Sequence, residues 1–344
     1  MSERPRIAIL FGGSSAEHDV SVKSAMEVAA SIDTERFAPI YVGITRAGEW
    51  RLCNQPQPGW DHDAGPPAVL SPDRATHGLL VDADGDRLTM PVDAVFPVLH
   101  GTTGEDGAVQ GLLELSGIPY VGCGIAGSAI CMDKTLAYVV ARHAGIATPT
   151  FWILDAGDDA PPDELTYPAF VKPARSGSSF GVTKVEHVDG WAAAVAAARQ
   201  HDRKVVVEQA VVGSEVGCAV LGRGADLFVG AVDRIELSHG FFRIHQEDAP
   251  ERGSENAVVT VPADLPDVTR DHVRETAKRI YTALGCEGLA RVDMFLQADG
   301  CIVLNEVNTL PGFTSYSRYP RMMEAAGLGR SELIDRLLAL AMAR

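Results

Sequence analysis

Hydrophobic and polar positions fall into two textures along this chain. Short continuous apolar runs occur at Ile7–Phe11, Phe37–Ile44, Ala94–Leu99 and Val205–Val207, and each ends in glycine or polar residues. Runs of this kind predict strands buried on both faces, as in a parallel sheet. Between them, helical periods predict helices over Ser21–Ala30, Gln110–Leu115, Asp133–Ala144, Trp191–Gln200, Arg270–Leu284 and Glu332–Arg344. Ile118–Val121 and Tyr167–Lys172 read as further strands. Glu215–Leu221 and Asp226–Val232 alternate like a hairpin. Strands alternating with helices early and hairpins later predict an α/β fold, α+β in part, with an N-terminal Rossmann-like parallel sheet. Three domains follow: 1–122, 123–211 and 212–344. Residues 51–75, rich in Pro, Gly, Asp and Asn, predict a surface excursion. Ile235–Asn256 is long and polar, and a loop of that length predicts a functional lid anchored by Phe241, Phe242 and Ile244 with His245 at its centre.

The last third carries a second hairpin. Leu289–Gln297 and Cys301–Val307 are apolar and β-branched, and Asp299-Gly300 between them is a two-residue turn signal. That turn sets Ala298 opposite Cys301, Phe295 opposite Leu304, Asp293 opposite Glu306 and Arg291 opposite Asn308. A three-residue loop would break this pairing. Directly opposed like charges destabilise a strand pair, so Asp293 and Glu306 call for a cation. With the amide oxygen of Asn308 they form a hard oxygen set suited to magnesium. The plain alternative is a solvated acidic face. The apolar neighbours Met294, Phe295, Val303, Leu304 and Val307 argue for burial instead, where carboxylates are rare unless paired or ligating.

Charge narrows the partners. Thirty Lys and Arg against 46 Asp and Glu give a net charge of −16, which opposes unspecific binding to nucleic acid or anionic membranes. A phosphate ligand must therefore meet local cations and backbone amides. Six cysteines without a CxxC motif predict reduced, buried thiols in a cytoplasmic protein. The N-terminus lacks the long apolar core of a signal peptide, and no apolar run approaches a membrane span.

Candidate chemistry sits in the loops. Gly12-Gly13-Ser14-Ser15 and His100–Gly107 each follow a predicted buried strand, so the two loops are expected to share a cleft. GGSSAEHD is not GxGxxG, which argues against a dinucleotide site. His100 is either a ligand contact or a loop histidine bonded to backbone. Lys134 lies in the first turn of a helix, where a cation is unfavourable unless an anion is near. The loop after Lys172, PARSGSSFGV, is either a phosphate clamp or a flexible polar hairpin; it is not a Walker A motif.

Taken together, FGGSSAEHDVSVKSA, HGTTGEDGAVQGLLELSGIPYVG, MDKTLAY, FVKPARSGSSFGV, EQAVVGSEV, GLARVDMF and LNEVNTLPGFTSYS resemble the D-alanine–D-alanine ligase family of the ATP-grasp superfamily. IHQE, ERGSENAVVTVPADL and SRYPRMMEAAG resemble the vancomycin-resistance D-alanine–D-lactate ligases of VanA type within it. Ordinary dipeptide ligases carry a lysine–tyrosine pair where this chain has Ile244-His245, a departure that argues against a plain D-alanine–D-alanine ligase. The resemblance implies ATP contacts at Lys134, Lys172, Ser178, Ser179, Glu208, Gln209, Ala210, Val211 and Glu215. It implies two magnesium ions, or manganese, on Asp293, Glu306 and Asn308. Glu17, with Ser178 and His245, would receive the first D-alanine. His100 would contact substrate, Arg291 and the Gly312 N–H would meet the oxyanion, and Ser317 would hold the second substrate's carboxylate. A homodimer is the family expectation. The implied chemistry is phosphoryl transfer from ATP to D-alanine, then attack by the D-lactate hydroxyl on the acyl phosphate. A nucleotide-binding module without catalysis is the reading from another class. It leaves the paired acids without a purpose.

Overall fold

The computed structural model describes residues 4–83, 85–157, 159–177, 180–238, 240 and 256–344. The first apolar runs do form a parallel core. Arg6–Gly12 lies between Ala38–Ile44 and Ala94–Val98, parallel to both, and Trp50–Cys53 adds an antiparallel edge. Arg6–Gly12 is buried along almost its whole length, as a strand covered on both faces must be. The α/β expectation and the Rossmann-like parallel sheet are thus met. The helices His18–Ser31 and Arg330–Met342 share one apolar core with this sheet, through Ile9, Phe11, Val28, Leu333 and Leu337.

Two antiparallel sheets follow. One has the order Thr183–Val185, Ala169–Pro173, Val205–Gln209, Phe151–Leu154. The other runs Ala257–Thr260, Asp226–Leu237, Ser214–Arg223, Gly288–Leu296, Ile302–Asn308. Asp267–Ala283 covers the second of these.

Several expectations need correcting. The stretch 51–75 is more than an excursion. Ala68–Leu70 pairs with Gly78–Ala83, which pairs with Asp86–Pro91 in a small separate sheet. Trp60 of this stretch is 2% exposed and packs edge-on against Phe11. Ile118–Val121 makes only an isolated parallel bridge, Tyr120 to Val95. Helices Ile125–Met132 and Arg318–Ala325 were not anticipated. Cys53 and Cys301 are only partly buried, while the other four thiols are buried and all six are free.

Candidate active site

Two irregularities position the paired acids. The loop of the last hairpin has three residues, not two: the Gln297 N–H bonds the Cys301 carbonyl at 2.9 Å, and Gly300 has φ +86°. Phe295 therefore stands opposite Val303, and Met294 opposite Leu304, against expectation. A bulge then shifts the register between Asp293 and Met294, and Asn305 is the extra residue. It restores Asp293 to Glu306 and Arg291 to Asn308. The Tyr138 hydroxyl lies 2.8 Å from the Asn305 carbonyl oxygen and so holds the bulge from the helix Lys134–His143.

Three cations among the described residues stand beside the acids. Arg291 donates to both oxygens of Asp293 at 2.7–3.0 Å, Arg318 lies 3.2 Å from Oδ1, and Asn308 Nδ2 donates to Oδ2 at 3.2 Å. Lys134 Nζ is 3.2 Å from Glu306. Burial would raise the Glu306 carboxyl, but Lys134, with Arg291 and Lys172, outweighs it and holds the group below its ordinary value. Asp293, Glu306 and Asn308 could hold a hard divalent cation. They offer only oxygen donors for that purpose and share one sheet face, and Lys134 holds Glu306 ionised.

Lys134 is buried because its helix begins beside the loop after Lys172. Asp133 caps the helix, accepting from the N–H groups of Thr135 and Leu136, and Lys134 Nζ donates to the Ser176 carbonyl at 3.0 Å. Lys172 and Glu208, expected as separate ATP contacts, are paired to each other at 2.6 Å, with the Tyr138 hydroxyl 2.9 Å from Glu208. Gln209 is tied to Thr166 and the Pro168 carbonyl, the Ala210 N–H also bonds Pro168, and Val211 is half-buried. Glu215 lies 3.4 Å from Arg318.

A second group gathers around Glu17. Its carboxylate rests against two bare Cα atoms: a Cβ on Gly101 would come within 2.6 Å of it, and one on Gly177 within 3.2 Å. Gly177 brings the loop after Lys172 to the N-terminal sheet. Ser15 Oγ donates to the His100 carbonyl at 2.8 Å and accepts from the Glu17 N–H at 3.2 Å. The His100 ring is engaged at both nitrogens, with the Leu310 carbonyl at 2.9 Å and Ser24 Oγ at 3.2 Å. That is the backbone-bonded alternative for this residue. Burial pushes the imidazole below its ordinary value, and Glu17 only partly offsets this. Gly312 lies close to Ser317, whose Oγ accepts from the Thr314 N–H at 3.0 Å and lies 2.6 Å from the Thr314 hydroxyl. The expected shared cleft exists: a cavity of about 280 Å³ is lined by Gly12–Ser15 and by His100 and Thr102–Gly104. Ser178, Ser179 and His245, with most of the expected lid, lie outside the described residues.

Glu105 was missed. It is half-buried and accepts from the N–H groups of Gly101 at 2.9 Å and Leu310 at 3.0 Å, joining the His100 loop to the segment leading to Gly312. Burial, then the neighbouring Glu17, push its carboxyl up to about 7. An acid inside the glycine-rich loop HGTTGEDG was the available signal, since such a loop leaves backbone N–H groups to be satisfied.

This arrangement matches known proteins along the whole chain. Residues 6–123 fit the model of the D-ala D-ala ligase N-terminus, and residues 140–339 that of the C-terminus. A Streptomyces coelicolor protein carrying the provisional name of a D-alanine–D-lactate ligase is 64% identical over 98% of both chains. The vancomycin B-type resistance protein VanB of Enterococcus faecalis is 62% identical over 98% of this chain and 99% of its own. A D-alanine–D-alanine ligase of Arthrobacter is 42% identical over 99% of this chain and 95% of its own. The VanG D-Ala:D-Ser ligase structure from Enterococcus faecalis superposes with a TM-score of 0.90 at 42% identity, covering 98% of this chain and all of that one. Two family models that together span nearly the whole chain, and relatives this similar over full length, make the chain a member of the D-alanine–D-alanine ligase family with its ATP-grasp fold.

Proposed function

We propose that this chain joins D-alanine to D-lactate with ATP, forming the depsipeptide that glycopeptide-resistant peptidoglycan precursors carry. One observation carries the choice of second substrate. The relatives named for D-alanine–D-lactate ligation and for vancomycin resistance share 62–64% of the sequence, against 42% for the Arthrobacter D-alanine–D-alanine ligase. The chain is accordingly an ATP-dependent ligase acting on small molecules.

The geometry supports a division of labour. Lys134 and Lys172 neutralise the ATP phosphates, with the 173–182 loop supplying backbone N–H groups and the Gln209–Val211 segment and Glu215 holding the nucleoside. Lys172 is already charge-paired with Glu208, so Glu208 serves by fixing the lysine. Glu17, poised between the His100 loop and Gly177, receives the ammonium of D-alanine. Asp293, Glu306 and Asn308 would hold magnesium, two ions in this reading, which neutralises charge during phosphoryl transfer. Arg291 and the Gly312 N–H then stabilise the tetrahedral oxyanion, a contribution of about 3–4 kcal/mol per donor in comparable sites. Ser317 meets the carboxylate of D-lactate. His245 selects the hydroxyl nucleophile, because an imidazolium repels the ammonium of D-alanine.

The division into 1–122, 123–211 and 212–344, a homodimer and a cytoplasmic location belong to the same proposal. No described helix is long and apolar enough to cross a membrane. The test is ADP release on mixing the chain with ATP, magnesium and D-alanine, with and without D-lactate. The proposal expects release at neutral pH to rise strongly with D-lactate; release indifferent to D-lactate would overturn it.

A further inference from the structure

Arg318 takes part in none of the roles above, yet it is the most enclosed cation beside the paired acids. It opens the helix Arg318–Ala325 directly after Ser317 and is 5% exposed. Nε and Nη2 fork Asp233 at 2.6 and 2.8 Å, and Asp233 is fully buried. Nη2 also lies 3.2 Å from Asp293 Oδ1, and Nη1 3.4 Å from Glu215.

The guanidinium reaches all three acids by crossing the strand Ser214–Arg223 at the bare Cα of Gly217. Gly217 pairs with Asp233 on one side and with Asp293 on the other. A Cβ there would stand 2.2 Å from Arg318 Nη2, 2.6 Å from Asp233 Oδ1 and 3.0 Å from Asp293 Oδ1. Glycine inside a strand marks close approach of another group, and here that group is a buried cation lying between two aspartates. Neutralising Asp233 alone would not require the passage to Asp293. Arg318 takes Asp293 by Oδ1, and Asn308 takes it by Oδ2. With Arg291 spanning both oxygens, rotation of the carboxylate is stopped from two sides.

We propose that Arg318, admitted by the bare Cα of Gly217, is the positioning residue that fixes Asp293 for the divalent cation and ties it to Glu215 on the nucleotide side. This rests on the assignment of Asp293, Glu306 and Asn308 to the metal. By Coulomb's law alone a guanidinium beside a metal carboxylate opposes cation binding, so its value must lie in orientation. Magnesium demands near-ideal octahedral geometry, and partners that orient its ligands matter accordingly.

The two effects have opposite signs, which makes the test decisive. Mn2+ binding is measured by electron paramagnetic resonance, with ADP present, for the unsubstituted chain, Gly217→Ala and the double variant Arg318→Met with Asp233→Asn. The double variant removes both ends of the Arg318–Asp233 pair, so Asp233 is not left as a buried unpaired charge, and Asp293 keeps Arg291; it serves even if Gly217→Ala does not fold. Folding is checked by circular dichroism. Positioning predicts Mn2+ affinity weaker by roughly tenfold or more. Affinity unchanged, as for a merely structural pair, or tighter, as for charge alone, would overturn the inference while leaving the metal site standing. If the unsubstituted chain does not bind Mn2+ with ADP, the metal assignment falls and this inference with it.

Discussion

Asp293 faces Glu306 across the last strand pair, one residue from a bulge whose carbonyl, at Asn305, is held by the Tyr138 hydroxyl. The pairing sets two carboxylates on one face of a buried sheet, with Lys134 on one and Arg291 on the other. Two acids in that relationship lose their purpose if either is neutralised.

Glu306→Gln keeps the size and the strand of the wild-type residue. It is expected to lower D-alanine-dependent ADP release by at least about two orders of magnitude, because metal stabilisation in such reactions is worth several kcal/mol. The melting temperature should fall somewhat, because Lys134 loses its carboxylate partner, while the chain stays folded. A folded variant turning over normally at saturating magnesium would contradict the role.

Lys172 and Glu208 form a buried ion pair at 2.6 Å. Removing one partner of such a pair costs about 3–5 kcal/mol, because the other charge remains buried. Lys172→Met should therefore melt markedly earlier. Lys172→Met with Glu208→Gln should recover most of the stability but not the affinity for ATP. Recovery of both in a thermal-shift and ATP-titration series would reduce Lys172 to a structural partner.

Glu105 gives a pH signature. Its carboxyl titrates near 7 when folded against an ordinary 4.5. The folded chain thus binds this proton more tightly, so the group favours folding most below the unfolded value and loses that contribution as pH rises through 7. The full loss is on the order of 3 kcal/mol. Relative to the unsubstituted chain, Glu105→Gln should gain stability steadily between about pH 5 and 8, whatever constant offset the amide brings. Denaturation midpoints with a pH-independent difference would remove Glu105 as an acid with a raised titration point.

Local pattern made the core strands of the three larger sheets, most helices and the face shared by Asp293 and Glu306 legible, but not the edge strands Trp50–Cys53, Phe151–Leu154, Thr183–Val185 and Ala257–Thr260 or the small sheet of residues 68–91. The Asp-Gly turn signal and the alternation of apolar residues on either side of it are properties of adjacent residues. The three-residue loop and the Asn305 bulge were illegible because their effects on register cancel at Asp293. Glu105 and Arg318 were missed for another reason: their partners are remote, Leu310 for one and Asp233 for the other. Faint signals existed in both cases. Arg318 sits four residues before Met322, so the two share a helix face and Arg318 follows that methionine into the core. Gly217 interrupts the run from Val216 to Leu221, which is otherwise apolar. Trp60 hid inside a stretch whose Pro, Gly and Asp content reads as loop, although its ring fills the space over Gly43.

Selection of D-lactate is the central claim, and a competition measures it directly. The chain and its His245→Tyr variant are each given equal D-alanine and D-lactate with ATP and magnesium, and depsipeptide and dipeptide are quantified from acidic to alkaline pH. An imidazolium that repels the ammonium nucleophile, on a side chain with an ordinary pKa of about 6.5, predicts depsipeptide dominant at acidic to neutral pH and dipeptide rising as pH increases. The variant should already favour dipeptide at neutral pH. A product ratio that is flat with pH and identical in the variant would contradict the selection by His245, and dipeptide as the main product throughout would contradict the function itself.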